Sequence, residues 1–90
     1  MAWQISLSDT AEKQFFKLDR QVARRIYSFL SGRVAILEDP RSIGEALKGS
    51  KLGEFWKYRV GDYRIIVRIE DEKLLVLVMR IGHRRDVYER

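Results

Sequence analysis

The sequence predicts an α+β domain in the order β-α-α-β-β-β, a helical hairpin packed on a mainly antiparallel four-stranded sheet. Three observations carry that expectation. Apolar residues recur at steps of three and four between residues 11 and 37, the period of a helix face. Alternation with a period of two begins at Phe55 and resumes after two short polar interruptions, the pattern of strands joined by tight turns. Ninety residues hold one core and leave no room for another, so residues 1–90 are expected to form a single domain.

The elements follow in order. "AWQISLS" sets Trp3, Ile5 and Leu7 against small or polar neighbours, a strand with one buried face. Asp9, with Glu12 three residues on, has the spacing of a capping box. The helix "TAEKQFFKL" then places Ala11, Phe15 and Leu18 on one side. Asp19 caps a second helix from Arg20, whose apolar stripe is Val22, Ile26, Phe29, Leu30, Val34 and Leu37. Gly32 weakens that helix, and Pro40 ends it, because the residue before a proline avoids helical geometry. Residues 41–54 hold three of the six glycines and read as a loop. A strand from Phe55 ends at Val60, "GD" turns the chain, and Tyr63 opens the next strand. "DEK" at 71–73 makes another turn. "LLVLVMRI", 74–81, is the most apolar strand and the expected centre of the sheet, broken by Gly82.

Composition removes several function classes. With no cysteine and one histidine, neither a disulfide framework nor a thiolate or histidine-rich metal site can be built. No cofactor is expected. The longest apolar run, 74–79, is far too short to cross a membrane, and no signal peptide is expected, since the first residues lack a charged start followed by a long apolar run. The net charge of +5 is uneven: six Lys or Arg meet five acids in 1–40, twelve meet eight in 41–90. Such an excess favours a polyanion such as nucleic acid, or an acidic protein.

The hairpin concentrates that charge. A two-residue turn at Gly61–Asp62, with glycine first as a type II′ turn requires, sets Val60 against Tyr63, Arg59 against Arg64 and Tyr58 against Ile65. Opposed residues share a face, their Cβ atoms roughly 4.5–5.5 Å apart. Lys57, Arg59 and Arg64 therefore share one face, expected to be an exposed cationic floor. Trp56, Tyr58, Val60, Tyr63, Ile65 and Val67 share the other, the core face. Like charges set opposite each other destabilise a sheet, so the floor calls for a ligand that supplies negative charge. Arg grips phosphate bidentately and Lys acts as a point charge. The bland alternative is neutralisation by acids such as Glu54 or Asp86. In the tail, "IGHRRDVYER" supplies His83, suited to proton transfer near neutral pH, then Arg84, Arg85 and Tyr88.

Over essentially its whole length the chain resembles the RelE toxin family of type II toxin–antitoxin systems, within the RelE/ParE superfamily. The resemblance rests on the element order, on "ALKGSKLGEFWKYRVGDYRIIV" and on "VMRIGHRRDVY". It implies a compact microbial-RNase-like fold and a metal-independent endoribonuclease that cuts messenger RNA in the ribosomal A site. The family's basic positions fall on Lys57, Arg59, Arg64 and Arg84, and its base-stacking tyrosine on Tyr88. Arg59 stands where some relatives carry lysine, and the tail ending at Arg90 is shorter than in some.

The chemistry so implied is attack of a ribose 2′-hydroxyl on the neighbouring phosphate. It needs a base, charge stabilisation and an acid. Arg59 and Arg64 are assigned to the phosphorane and Arg84 to the phosphate or the leaving oxygen. Arg85 adds positive charge beside them, Tyr88 stacks on the nucleotide, and Lys57 or His83 is the base. Implied partners are an acidic RelB-like antitoxin, the ribosome with its A-site message, and operator DNA only through the antitoxin. The setting is cytoplasmic, with no membrane. Two rivals share the basic face: a ParE-like toxin that poisons gyrase, and a catalytically silent RNA- or protein-binding module.

Overall fold

The computed structural model describes residues 2–47 and 55–83. In chain order they form β1 (Gln4–Leu7), α1 (Asp9–Phe16), α2 (Arg20–Phe29), β2 (Glu45–Ala46), β3 (Phe55–Val60), β4 (Tyr63–Glu70) and β5 (Leu75–His83). The sheet runs β1-β5-β4-β3-β2. β1 lies parallel to β5 and every other pairing is antiparallel. The class is the expected one, with two helices on one face of a mainly antiparallel sheet. The strand count differs. Glu45 and Ala46, expected in a loop, pair with Lys57 and Trp56 as a fifth strand. That addition outside β3 moves the centre of the sheet to β4. β5, expected at the centre, sits one place off it, between β1 and β4.

Both helices start at side-chain caps, because the first backbone N–H groups of a helix have no partner within it. For α2 the cap is Asp19, as expected, its carboxylate accepting from the Gln21 N–H at 3.1 Å. For α1 it is Ser8, not Asp9. Ser8 keeps an extended backbone, accepts from the Ala11 N–H at 3.1 Å and donates to the Met79 carbonyl at 3.0 Å. Asp9 and Glu12 fall inside the first turn, where their charge suits the helix dipole.

The apolar stripe of α2 does not continue as one helix to Pro40. After Phe29 the backbone widens into a π-helical turn, Leu30–Val34, closed by the Ala35 N–H on the Leu30 carbonyl at 3.0 Å. The wider turn takes up one extra residue, and Ile26, Leu30 and Val34 all stay buried. Pro40 instead opens a short 3-10 turn, Pro40–Ile43, whose cap is Asp39.

Val76, Val78 and Ile81 are all buried, yet the step from 78 to 81 is odd and breaks simple alternation. A β-bulge resolves it. Ile66 pairs with Arg80, Val67 pairs with Val78, and Met79 is the extra residue. Gly82, expected to break β5, lies inside it. β5 is entered instead through Leu74, left-handed at φ 50° after the Asp71–Lys73 turn.

The core lies between the sheet and the helices. It joins Ala11, Ile26, Leu30 and Val34 to Tyr58, Val60, Ile65, Val67, Ile69, Val76, Val78 and Ile81. Trp3 closes one end, its indole donating to the Glu38 carbonyl at 3.3 Å. Leu7 is on the core face, opposite Val78, but is 38% exposed because β1 is an outer strand with a neighbour on one side only. Among the described residues no helix is long and apolar enough to cross a membrane.

Candidate functional site

The hairpin of β3 and β4 has the register read from "VGDY": Val60 against Tyr63, Arg59 against Arg64, Tyr58 against Ile65, Lys57 against Ile66. Gly61 turns at φ +60° while Asp62 keeps a negative φ, the type II′ combination. Two arginines flank that turn. Arg25 of α2 lies against Gly61, so close that a Cβ there would meet its guanidinium at 3.0 Å. From the other side, Arg64 donates to the Gly61 carbonyl at 3.4 Å and the Tyr63 carbonyl at 3.2 Å.

The face assignment holds, but the floor is not uniformly exposed. Arg64 is only 7% exposed, because its guanidinium folds back onto those carbonyls. Its Nε is buried without a hydrogen-bond partner. The Lys57 side chain is 12% exposed and that of Arg59 59%. The acid that meets them is Glu45 of the short edge strand, which sequence reasoning placed in a loop. Its carboxylate stands 3.4 Å from the Lys57 Nζ and 3.8 Å from an Arg59 guanidinium nitrogen. Glu54 and Asp86 lie outside the described residues.

Among the described residues β2 pairs with β3 only as far as Lys57. There Lys57 and Arg59 line a cleft of about 240 Å³ with Glu45, Ile43, Phe29 and Arg33. The cationic surface thus turns the sheet edge and reaches Arg33 in the π-helical turn after α2. On the floor itself Arg80, paired with Ile66, joins Arg64. It borders an open hollow of about 560 Å³ with Phe55, Ile66 and Met79. Gly82, opposite Arg64, presents no side chain there. Sequence reasoning missed Glu45, Arg33 and Arg80. The odd spacing of Val78 and Ile81 is the signal that would have put Arg80 on the floor.

His83 is not brought to the floor. It pairs with Tyr63, on the helix side of the sheet, and their rings meet edge-on at 5.6 Å. Arg84, Arg85 and Tyr88 lie outside the described residues.

Beneath the site side-chain bonds tie the scaffold together. Tyr58, fully buried, donates to the Pro40 carbonyl at 2.6 Å and stacks edge-on against Phe29. Burial pushes its phenol up to about 12. Arg41 grips Asp71 with both terminal nitrogens, at 3.1 and 2.7 Å, and also meets Asp39 at 3.2 Å. The Arg41 hydrogen bonds hold the Asp71 carboxyl below the usual carboxylate range. The same pairing raises the guanidinium's own affinity for its proton.

Known proteins share this architecture. The family model described as ParE toxin of type II toxin–antitoxin system, parDE, matches residues 5–88. Toxin RelG of Mycobacterium tuberculosis is 30% identical over 90 residues, covering 100% of both chains. The mRNA interferase toxin RelE of Escherichia coli is 31% identical over 84 residues, 93% of this chain and 85% of that one. Among solved structures, the toxin–antitoxin complex RelBE2 from Mycobacterium tuberculosis matches with a TM-score of 0.81 at 25% identity, covering 92% of each chain. The intact Escherichia coli RelBE complex matches with a TM-score of 0.74 at 26% identity, over 91% of this chain and 96% of that one. With a family model spanning nearly all of it and relatives of matching length, the chain belongs to the ParE toxin family of type II toxin–antitoxin systems, within the RelE/ParE superfamily.

Proposed function

We propose that the protein is a ribosome-dependent endoribonuclease, a single toxin domain that cuts messenger RNA in the ribosomal A site. The observation that carries this is Arg64, nine-tenths buried with an unpartnered Nε and set directly across the hairpin from Arg59. A buried donor left unsatisfied costs about 1–3 kcal/mol, more when charged. Arg64 gives up only two long carbonyl contacts to turn onto a phosphate. The names of the relatives, mRNA interferase among them, support the same reading.

In the reaction the 2′-oxygen bonds to phosphorus and the bond from phosphorus to the 5′-oxygen breaks. A 2′,3′-cyclic phosphate and a 5′-hydroxyl remain. Arg64 and Arg59 stabilise the charge that builds on the phosphorane, and Lys57 adds a point charge beside them. Of the base candidates, His83 faces the other side of the sheet. The Lys57 ammonium must lose a proton before it can accept one. Glu45, an exposed carboxylate 3.4 Å from Lys57, accepts a proton as it stands, so we assign it the 2′-hydroxyl. Arg84 and Arg85 bind phosphate or assist the leaving oxygen, and Tyr88 stacks on the base.

In a cytoplasmic setting such a toxin is held by an acidic RelB-like antitoxin; the matching structures are toxin–antitoxin complexes. Operator DNA is reached through that antitoxin. Chemical analysis of message cut on purified ribosomes tests the activity. Cuts inside the A-site codon with 5′-hydroxyl ends support it, and intact message contradicts it. The family model's ParE description favours a second reading, gyrase poisoning. DNA breaks on expression, with message left uncut, indicate that reading.

A further inference from the structure

The cations of α2 take no part in the chemistry above. The helix has three faces. Val22, Ile26 and Phe29 pack toward the sheet. Arg20, Arg24 and Tyr27 look outward to solvent. Arg25 and Ser28 of α2, followed by Gly32 and Arg33 of the π-helical turn, form one wall of a cleft of about 490 Å³. Its other wall is Arg59, Val60 and Gly61 at the hairpin tip. Among the described residues three guanidinium groups line this cleft and no carboxylate does. Arg25 and Arg33 make no hydrogen bond or ion pair with another described residue, and the one ion pair of Arg59 is the 3.8 Å approach to Glu45. Gly32 faces open space, with nothing within 4 Å of where its Cβ would stand.

Three like charges around an unfilled cleft repel one another, and α2 and the π-helical turn after it each give one surface position, Arg25 and Arg33, to keeping them there. The Arg25 guanidinium lies against Gly61 at the hairpin tip. Phe29, Arg33 and Arg59 line both this cleft and the smaller one containing Lys57 and Glu45, so the two are continuous around the sheet edge. Arg59 thus lines the cleft it shares with Arg33 and Arg25 and, on the hairpin, stands opposite Arg64. Guanidinium groups recognise phosphate through paired, charge-assisted hydrogen bonds, and Ser28 supplies a hydroxyl beside them.

We propose that the cleft between α2 and the hairpin tip is a second phosphate subsite for RNA, with Arg25 and Arg33 gripping a phosphodiester away from the one that is cut. It extends the endoribonuclease reading and rests on it for the identity of the polyanion. The phosphate comes either from the message on the far side of the cut or from ribosomal RNA.

The test is the salt dependence of binding, for the wild-type chain and for the Arg25→Gln/Arg33→Gln double variant. Three probes are used: a single-stranded RNA oligonucleotide, vacant ribosomes, and ribosomes programmed with a message made uncuttable by a 2′-deoxy A-site codon. Each phosphate contact to a single strand contributes about 0.7 to the slope of log affinity against log salt. The double variant is therefore expected to flatten that slope by about 1.4, with an unchanged unfolding midpoint. Flattening on vacant ribosomes assigns the phosphate to ribosomal RNA. Flattening only on the oligonucleotide and the programmed ribosomes assigns it to the message. An unaltered slope on all three overturns the proposal and leaves the cleft to an acidic protein partner. A failed endoribonuclease reading shows separately, as wild-type protein that leaves cuttable message intact while its RNA binding still depends on Arg25 and Arg33.

Discussion

Arg64 concentrates the functional question in one side chain. Its place opposite Arg59 was legible in the sequence, because a glycine-led two-residue turn fixes pairing. Its burial was not, since a guanidinium on a long stem can extend to solvent or fold back, and the strand pattern does not choose. Folding back changes how it is best removed. Truncation to alanine also deletes a packed stem, so Arg64→Gln is the cleaner variant. It is expected to lose cleavage while its unfolding midpoint stays near that of the wild type. Glu45 was illegible for another reason: a two-residue edge strand carries too little pattern to stand out from the loop around it. Placed 3.4 Å from Lys57, it is expected to be needed for the chemical step. Glu45→Gln should lower the cleavage rate on saturating ribosomes by about 10²–10⁴-fold, the usual contribution of a general base. Glu45→Asp should recover part of it. An undiminished rate in Glu45→Gln returns the role to Lys57.

At the level of elements the hairpin matters most, and Gly61 controls it. A side chain there meets both a left-handed backbone, costing roughly 1–2 kcal/mol, and the Arg25 guanidinium 3.0 Å away. Gly61→Ala should destabilise the fold by at least about 1 kcal/mol in denaturant unfolding. Gly32→Ala, with open space around it, should stabilise by about 0.5–1 kcal/mol. Equal effects at the two positions would mean that the turn is not what constrains Gly61. Helix capping shows where local pattern runs out. Asp19 was identifiable from its neighbours alone. Ser8 wins over Asp9 because its hydroxyl also reaches the Met79 carbonyl, a partner 71 residues away. The bulge at Met79 was readable, since Val78 and Ile81 cannot both face a core in a regular strand. The π-helical turn was not, because the α and π periods differ too little over five residues.

For the whole molecule, the buried layer between sheet and helices fixes how stability varies with pH. Tyr58 ionises near 10 when exposed but at about 12 in the fold. The unfolded chain therefore loses this proton first. Stability is full below pH 10 and falls between 10 and 12, and Tyr58→Phe should remove that fall. The same variant leaves the buried Pro40 carbonyl without its donor, at about 1–3 kcal/mol at neutral pH. Asp71 acts at the other end. Its folded affinity for protons is lowered, so its contribution is present above its ordinary range, near 3.8, and is lost as pH falls through the lower folded value. Asp71→Asn should flatten acid unfolding below pH 4. Both effects belong to the scaffold, at the Tyr58–Pro40 bond and the Arg41–Asp71 pair, and neither touches Lys57, Arg59 or Arg64, so neither variant should change the salt dependence of RNA binding. The most direct measurement is end-mapping of message bound to purified ribosomes, treated with wild-type protein or with Arg64→Gln. Expected is a cut within the A-site codon leaving a 5′-hydroxyl, present with the wild type and absent with a variant of equal thermal stability. Cutting by Arg64→Gln at the wild-type rate would contradict the assignment of the hairpin arginines to the phosphodiester.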